Sequence, residues 1–300
     1  MNFNLIHITI SVGTPDPSSL MFVLMNSGGR FSEACREGYC RWPARTCECC
    51  SGNCDCVWYS VFGQELSTDP DVIRRHQKPP LPFAFSFQPH VEACLLECRL
   101  VVIGRAIQTL EMLLQGFTEI LAGLTGRVQG KIVAVATRSN QGDALPLGDG
   151  ACISHPENLM VLSAADMLEK NDWGNRHVAI RVSSPLRIVM DGRPNRTFDF
   201  SLFLRSIIRR VSALSSYYGD CELDCDFRYL SILSENIDSV AKSFTYDHMP
   251  GGSRRLAGVV GEGHFSGKLD EVMPFLIIGT YVNVGKGASF GMGHYSLTTD

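Results

Sequence analysis

Two amphipathic helical stripes, one in each half of the chain, limit the folds open to this sequence. In the first half Ile107, Leu110, Leu113, Leu114, Phe117, Ile120, Leu121 and Leu124 recur at helical spacing. In the second, Phe200, Phe203, Leu204, Ile207, Ile208, Val211 and Leu214 do the same between Asp199 and Ser215. Strands are expected around the first helix at Phe3–Val12, Cys94–Ile103 and Lys131–Ala136. Within Phe3–Val12, Leu5, His7 and Thr9 take one side, and Phe3, Ile6, Ile8 and Ile10 mostly the other. Around the second helix, extended runs are expected at His177–Val182, Pro185–Met190, Gly258–Leu269 and Pro274–Val284. Each half therefore reads as strand, helix, strands. The repeat predicts an α+β chain of tandem ferredoxin-like domains, of the RNA-recognition-motif type. A single mixed α+β domain with long insertions is the competing architecture.

A chain of 300 residues is comfortable for two domains. Residues 1–140 form the first, with a Cys-rich insertion at 35–56. A Pro-rich crossing segment spans 66–90. Periodicity lapses in the turn-rich stretch 141–172, read as a linker. Residues 173–300 form the second domain. The hydrophobic fraction of 45% against 19% charged excludes a disordered chain. No run reaches the roughly 18 apolar residues of a membrane span. The first residues lack the charged and apolar regions of a signal peptide. No membrane partner is expected, and the reading is cytoplasmic.

That compartment bears on the cysteines. Seven of the twelve lie within 35–56. In a reducing environment such clustering points to metal before disulfides. Cys40, Cys47, Cys50 and Cys56 include a C-x2-C pair and can supply four thiolates to a structural zinc. An iron–sulfur cluster would use the same ligands, and small buried thiols are the plain alternative. Cys94 and Cys98 read as one face of a strand.

The net charge of −4 confines any nucleic-acid contact to a local patch. Between Trp173 and Arg210 eight arginines face two aspartates. Arg205 and Arg209 stand four apart, opposite the apolar stripe, with Arg210 at its flank. Arg254 and Arg255 make a smaller cluster. A merely solvated helix face is the competing reading.

The C-terminal run PFLIIGTYVNVGKGASFGMGHYSL carries the most chemistry. Gly285, Gly287, Gly291 and Gly293 surround Lys286 and Ser289. Glycine lets a backbone approach a ligand and visit positive φ, and a nest of N–H groups holds an anion. The spacing is not that of a P-loop. A tight turn without a ligand explains the same glycines. Of the eight histidines none sits in a self-announcing motif. His294 and His264 rank first as catalytic candidates, because both lie in this glycine-rich section.

These residues resemble the CRISPR-associated endoribonucleases that process precursor CRISPR RNA, a family of the RAMP superfamily. The glycine loop, the Gly-Gly at 251–252, VAIRVSSPLRI with its Arg-tipped helix, GRAIQTLEMLLQGFTEILAGL and the Cys spacing carry the likeness. The resemblance implies two ferredoxin-like domains and CRISPR repeat RNA as the partner. It implies metal-independent attack by a ribose 2′-hydroxyl, leaving a 2′,3′-cyclic phosphate, with no catalytic cofactor. Many members carry a catalytic histidine in or near the first N-terminal helix. The corresponding stretch, roughly Gly28–Tyr39, has none; the region offers Tyr39, Arg30, Arg36 and Arg41 instead. Two other readings follow: a non-catalytic RNA-binding subunit of a CRISPR effector complex, and a metal-stabilised scaffold for assembly.

Overall fold

Alternation in the first strand sets the architecture of the N-terminal half. The computed structural model describes residues 1–40, 47, 50, 55–149, 152–169, 177–219, 222–248 and 256–299. Strand β1 (Asn4–Gly13) is followed by helices α1 (Pro17–Met25), α2 (Gly28–Tyr39), α3 (Val57–Phe62) and α4 (Pro70–Arg75). Then come β2 (Phe83–His90), β3 (Leu95–Ile103), α5 (Leu110–Ala122) and β4 (Lys131–Arg138). Ile6, Ile8, Ile10 and Val12 of β1 turn to one face and pack with Leu113, Leu114, Phe117 and Leu121 of α5 and with Leu20, Leu24 and Phe31. Their burial supplies this domain's core, at about 25 cal/mol per Å² of apolar surface.

The stretch expected as a linker adds β5 (Ala144–Gly148), β6 (Val161–Ser163) and α6 (Ala164–Glu169). β5 pairs with β4, and β6 with the start of β1. The first sheet runs β2-β3-β1-β4-β5, all antiparallel along this path.

The second half repeats the plan. β7 (His177–Leu186) leads through a small hairpin, β8 (Val189–Met190) and β9 (Arg193–Pro194), into α7 (Phe200–Tyr218) and α8 (Phe227–Glu235). Then follow β10 (Asp238–His248), β11 (Ala257–Ser266), α9 (Met273–Val282) and β12 (Tyr295–Thr299). The Asp199 carboxylate caps α7 by accepting from Leu202 N–H at 2.8 Å, satisfying an N–H that the first turn leaves unpaired. The sheet order β10-β11-β7-β12 matches β2-β3-β1-β4 strand for strand. Two β-α-β-β-α-β units with the first and third strands central are the tandem ferredoxin-like fold.

Several elements differ from expectation. Pro274–Val284, read as a strand, is the helix α9. It is apolar on all sides, and a short apolar run carries no period to separate strand from buried helix. α9 lies against α7 and carries Leu276, Ile278 and Val282 into the shared core. The Pro-rich segment folds partly as α4, with Pro70 at its first turn, where a missing N–H costs nothing. Helix α8 and strand β10 are not among the expected elements, although α8 is amphipathic, burying Leu230 and Leu233. Phe3 packs with Leu5 rather than with the isoleucines. Cys98 is buried, whereas Cys94 is exposed in the turn before β3 at φ 50°.

The two halves share a core. Phe3, just before β1, and Leu5, Val101 and Ile103 of the first sheet lie in one cluster with Phe203, Ile207, Val211 and Leu276 of the second domain. At Gly104 the chains approach so closely that a Cβ would fall 1.8 Å from the Tyr218 carbonyl oxygen. Among the described residues no helix is long and apolar enough to cross a membrane.

Candidate functional site

The glycine loop runs from Asn283 to Gly293, between α9 and β12, and it docks the two domains. Phe85 N–H of β2 donates to Ser289 O at 3.0 Å, and Phe290 lies beside Phe85 in a parallel bridge. Gly285, Gly287, Gly291 and Gly293 all have positive φ. At Gly293 a Cβ would sit 1.8 Å from Val284 O, and at Gly285 2.6 Å from Arg187 O. The turn and the close packing therefore require these glycines, whatever binds nearby. Val284, Lys286, Phe290, Met292 and Gly293 donate their N–H groups to backbone carbonyls. Ser289, Gly291 and Gly293 are buried, while Lys286 and Gly287 form an exposed tip.

Beside that tip lies a groove of about 650 Å³ between the domains. Arg74, Lys78 and Arg75 line it from the first domain, and Arg187, Arg209 and Lys286 from the second. Among the described residues no Asp or Glu lines it. Arg75 is paired with Glu222 at 2.9 Å. The arrangement concentrates positive charge in a net acidic chain, which is what holding a phosphate backbone requires. The N-terminal contribution was not read from the sequence. Arg74 and Lys78 became visible only when α4 was brought alongside α7.

Arg210 takes a different part. Its Nε donates to Val282 O at 2.8 Å, and Nη2 reaches Phe83 O at 3.4 Å and Ser289 Oγ at 3.3 Å. Burial lowers its pKa to about 10, so it stays cationic at neutral pH. It ties α7, α9, β2 and the glycine loop together. Arg209 is exposed and Arg205 half-buried on the same helix.

The neck of the loop carries His294. Its N–H donates to Ser184 Oγ at 2.8 Å, and its carbonyl accepts from Ser183 N–H at 3.0 Å. Its Nδ1 lies 3.1 Å from Asn283 Oδ1. Burial first, and then the charge of Arg99, lower its pKa to about 4, so the ring is neutral at pH 7. His7 of β1 stands near it. Arg99 Nε donates to His7 Nε2 at 3.2 Å, and Tyr281 meets the His7 ring edge-on at 6.0 Å. Burial, Arg99, Arg138 and His294 lower the His7 pKa to about 3. A neutral imidazole beside buried arginines can take a proton from a hydroxyl next to a phosphate.

The other expected residues lie elsewhere. His264 is exposed on β11 opposite Ala179, while His294 pairs beside Ser183 on the far side of β7. Tyr39 ends α2, half-buried against the first core, and its pKa is raised by burial, Glu111 and Cys35. Phe290 of the loop touches the other end of α2, at Gly28, about 16 Å away along the helix axis. Arg254 and Arg255 lie outside the described residues. Cys40, Cys47, Cys50 and Cys56 are half-buried free thiols, and Cys56 opens α3. Among the described residues no three His, Cys, Asp or Glu are gathered as metal ligands. The expected zinc set is therefore not assembled by them. Cys50 N–H donates to Cys47 O at 3.2 Å, and Cys40 caps the C-terminus of α2.

Two docked ferredoxin-like domains, joined through a glycine loop beside an Arg/Lys groove, define the class of fold to which this protein belongs. Residues 180–295 match the family model of the CRISPR-associated endoribonuclease Cas6. Residues 28–157 match a model described as an N-terminal domain. The C-terminal part of the chain is thus similar to the Cas6 family of CRISPR-associated endoribonucleases. Comparison with curated proteins gave no match. Among solved structures, Thermus thermophilus Cas6 (TTHB231) aligns with a TM-score of 0.57 at 14% identity, over 99% of this chain and 100% of that one. A product complex of Cas6 (TTHA0078) gives 0.56 at 16%, over 98% of this chain and 99% of that one. A partial Cas6-RT-Cas1–Cas2 complex gives 0.58 at 13%, over 100% of this chain and 46% of that one. At such identities the likeness shows the fold.

Proposed function

We propose that this endoribonuclease cuts precursor CRISPR RNA within its repeats by attack of a ribose 2′-hydroxyl on the adjacent phosphate. The observation that carries the reading is the cationic groove shared by both domains, with no carboxylate among its described lining residues, in a chain whose residues 180–295 match the Cas6 model. RNA phosphates would lie against Arg74, Lys78, Arg187, Arg209 and Lys286. Unstacked bases would be read by neighbouring side chains. His294 accepts the 2′-hydroxyl proton. The 2′-oxygen bonds to phosphorus, the P–O5′ bond breaks, and the 5′-oxygen takes up a proton. The product end is a 2′,3′-cyclic phosphate. Lys286 and the arginines balance the charge that builds on the phosphate.

Ser184, which holds His294, and Arg187, in the groove, are three residues apart. That is about 10 Å of extended chain. A strand seated in the groove therefore passes within reach of the loop's neck. The reading needs no catalytic metal, because the nucleophile is the RNA's own hydroxyl. The substrate is an intracellular transcript, which assigns the reaction to the cytoplasm. A structural zinc on the cysteine run is kept only as a matter for metal analysis of the purified protein.

The test is cleavage of a labelled repeat RNA in excess EDTA, with a 2′-deoxy substitution at the scissile nucleotide run beside it. Cutting in EDTA that the 2′-deoxy abolishes is the expected result, with a cyclic phosphate at the new 3′ end. Tight binding with no cutting would replace the reading by a non-catalytic subunit of a CRISPR complex. The histidine-free stretch Gly28–Tyr39 is the observation that favours that alternative.

A further inference from the structure

Asn283 holds a backbone conformation that side chains other than glycine avoid. Its φ is 56° and its ψ 178°, a region that is essentially glycine's alone. It is nevertheless 1% exposed, in a loop whose other positive-φ positions are all glycine. A glycine here would relieve the backbone, so the side chain must offset the strain. Its Nδ2 donates twice, to Phe85 O of β2 at 2.7 Å and to Ala288 O at 2.9 Å. Both partners are carbonyls and can only accept, so the amide has one orientation. Its Oδ1 then faces His294 Nδ1 at 3.1 Å. An amide oxygen can only accept, so Nδ1 must carry the proton. The remaining ring nitrogen, Nε2, is left with its lone pair.

We infer that Asn283 is a positioning residue, which fixes His294 as the Nδ1–H tautomer and so presents Nε2 as the proton acceptor. The inference rests on the reading of His294 as the base. The chain of constraint begins in the other domain. Phe85 O orients the Asn283 amide, and the amide orients the imidazole, so domain docking and the state of the base are one arrangement. The charged and titratable groups around His294 are Arg99 of β3 and His7 of β1. Tyr281 of α9 and Arg138 of β4 face His7 in turn. Among the described residues no carboxylate acts on His294, so its tautomer is fixed by the neutral amide.

The tautomer is read directly from the ¹⁵N shifts of His294 in the unaltered protein at pH 7. The Nδ1–H form is expected, and the Nε2–H form would overturn the inference. Asn283→Gly supplies the second measurement, because it keeps the backbone conformation and removes only the amide. It is expected to keep RNA affinity while kcat falls at least tenfold and the His294 tautomer becomes mixed. An unchanged kcat in Asn283→Gly would also overturn the inference. Asn283→Asp places a negative charge against the ring and favours the imidazolium. The acid limb of its pH–rate profile should move to higher pH, and an unmoved limb counts against positioning. His294→Gln separates the two failures. If it cleaves at the wild-type rate, the base assignment falls, while the tautomer measurement still decides what Asn283 does.

Discussion

Two histidines carry pKa values far below the ordinary imidazole, and this has a consequence for stability. Burial puts His7 at about 3 and His294 at about 4, against 6.5 for a free ring. Between those values and 6.5 the unfolded chain binds protons that the folded chain refuses. Unfolding therefore takes up protons, and stability rises with pH through that interval. The contribution is complete above about pH 6.5. It is lost progressively as the pH falls toward 4 and then 3. Urea denaturation from pH 7 to pH 4 should show this fall, and His294→Gln should flatten it. An equally steep fall in the variant would mean that the acid sensitivity arises elsewhere. The sequence marked His294 as a candidate because of the glycines beside it. It held no sign of His7, because their proximity depends on how β1 is brought near the loop's neck.

Helix α7 shows how one element can divide its arginines between structure and binding. Arg209 and Arg210 are neighbours in sequence and both line the groove, but their contacts differ. Arg209 is exposed in the groove, whereas Arg210, at the groove's wall, donates to carbonyls of α9 and β2 and to the Ser289 hydroxyl. Replacing Arg210 by Met leaves those three acceptors without a partner in the domain interface. The expected loss is about 1–3 kcal/mol of stability, the usual cost of a buried group left unsatisfied. The denaturation midpoint checks this, and an unchanged midpoint would show that Arg210 is not a clamp. Helical spacing alone identified the apolar stripe of α7 correctly. It placed Arg210 at the flank of that stripe, but which face meets another domain is not encoded in the period.

On the scale of the molecule, the groove is the feature on which RNA binding depends. Its cations come from α4 and the residues after it, the loop after β7, helix α7 and the glycine-loop tip. Removing a phosphate contact lowers the salt dependence of affinity as well as affinity itself. For a single strand the slope of log K against log salt changes by about 0.7 per phosphate released. The triple change Arg187→Ala, Arg209→Ala and Lys286→Ala should therefore flatten the slope by about 2 units, if each side chain meets one phosphate. A slope equal to that of the unaltered chain would remove the groove from the RNA path. Arg205→Ala, outside the groove lining, serves as the comparison and should change the slope little.

Local pattern was enough to fix the outline of this protein. Two helical stripes, the strands beside them and a glycine-dense C-terminal loop specify two α+β units, because side-chain periodicity decides which face of an element is buried. The strand order common to both sheets agrees with that reading. The family resemblance rested on the same local motifs. Tertiary structure decided what those motifs do. The glycines that read equally as an anion nest or a turn prove to be needed for packing against Val284 and Arg187. The basic patch became a groove only when Arg74 and Lys78, more than a hundred residues upstream, were set against Arg187, Arg209 and Lys286. Asn283 meets Phe85 across 198 positions of sequence. Contacts at such separations leave no period in the chain, because they depend on how two finished domains fit together.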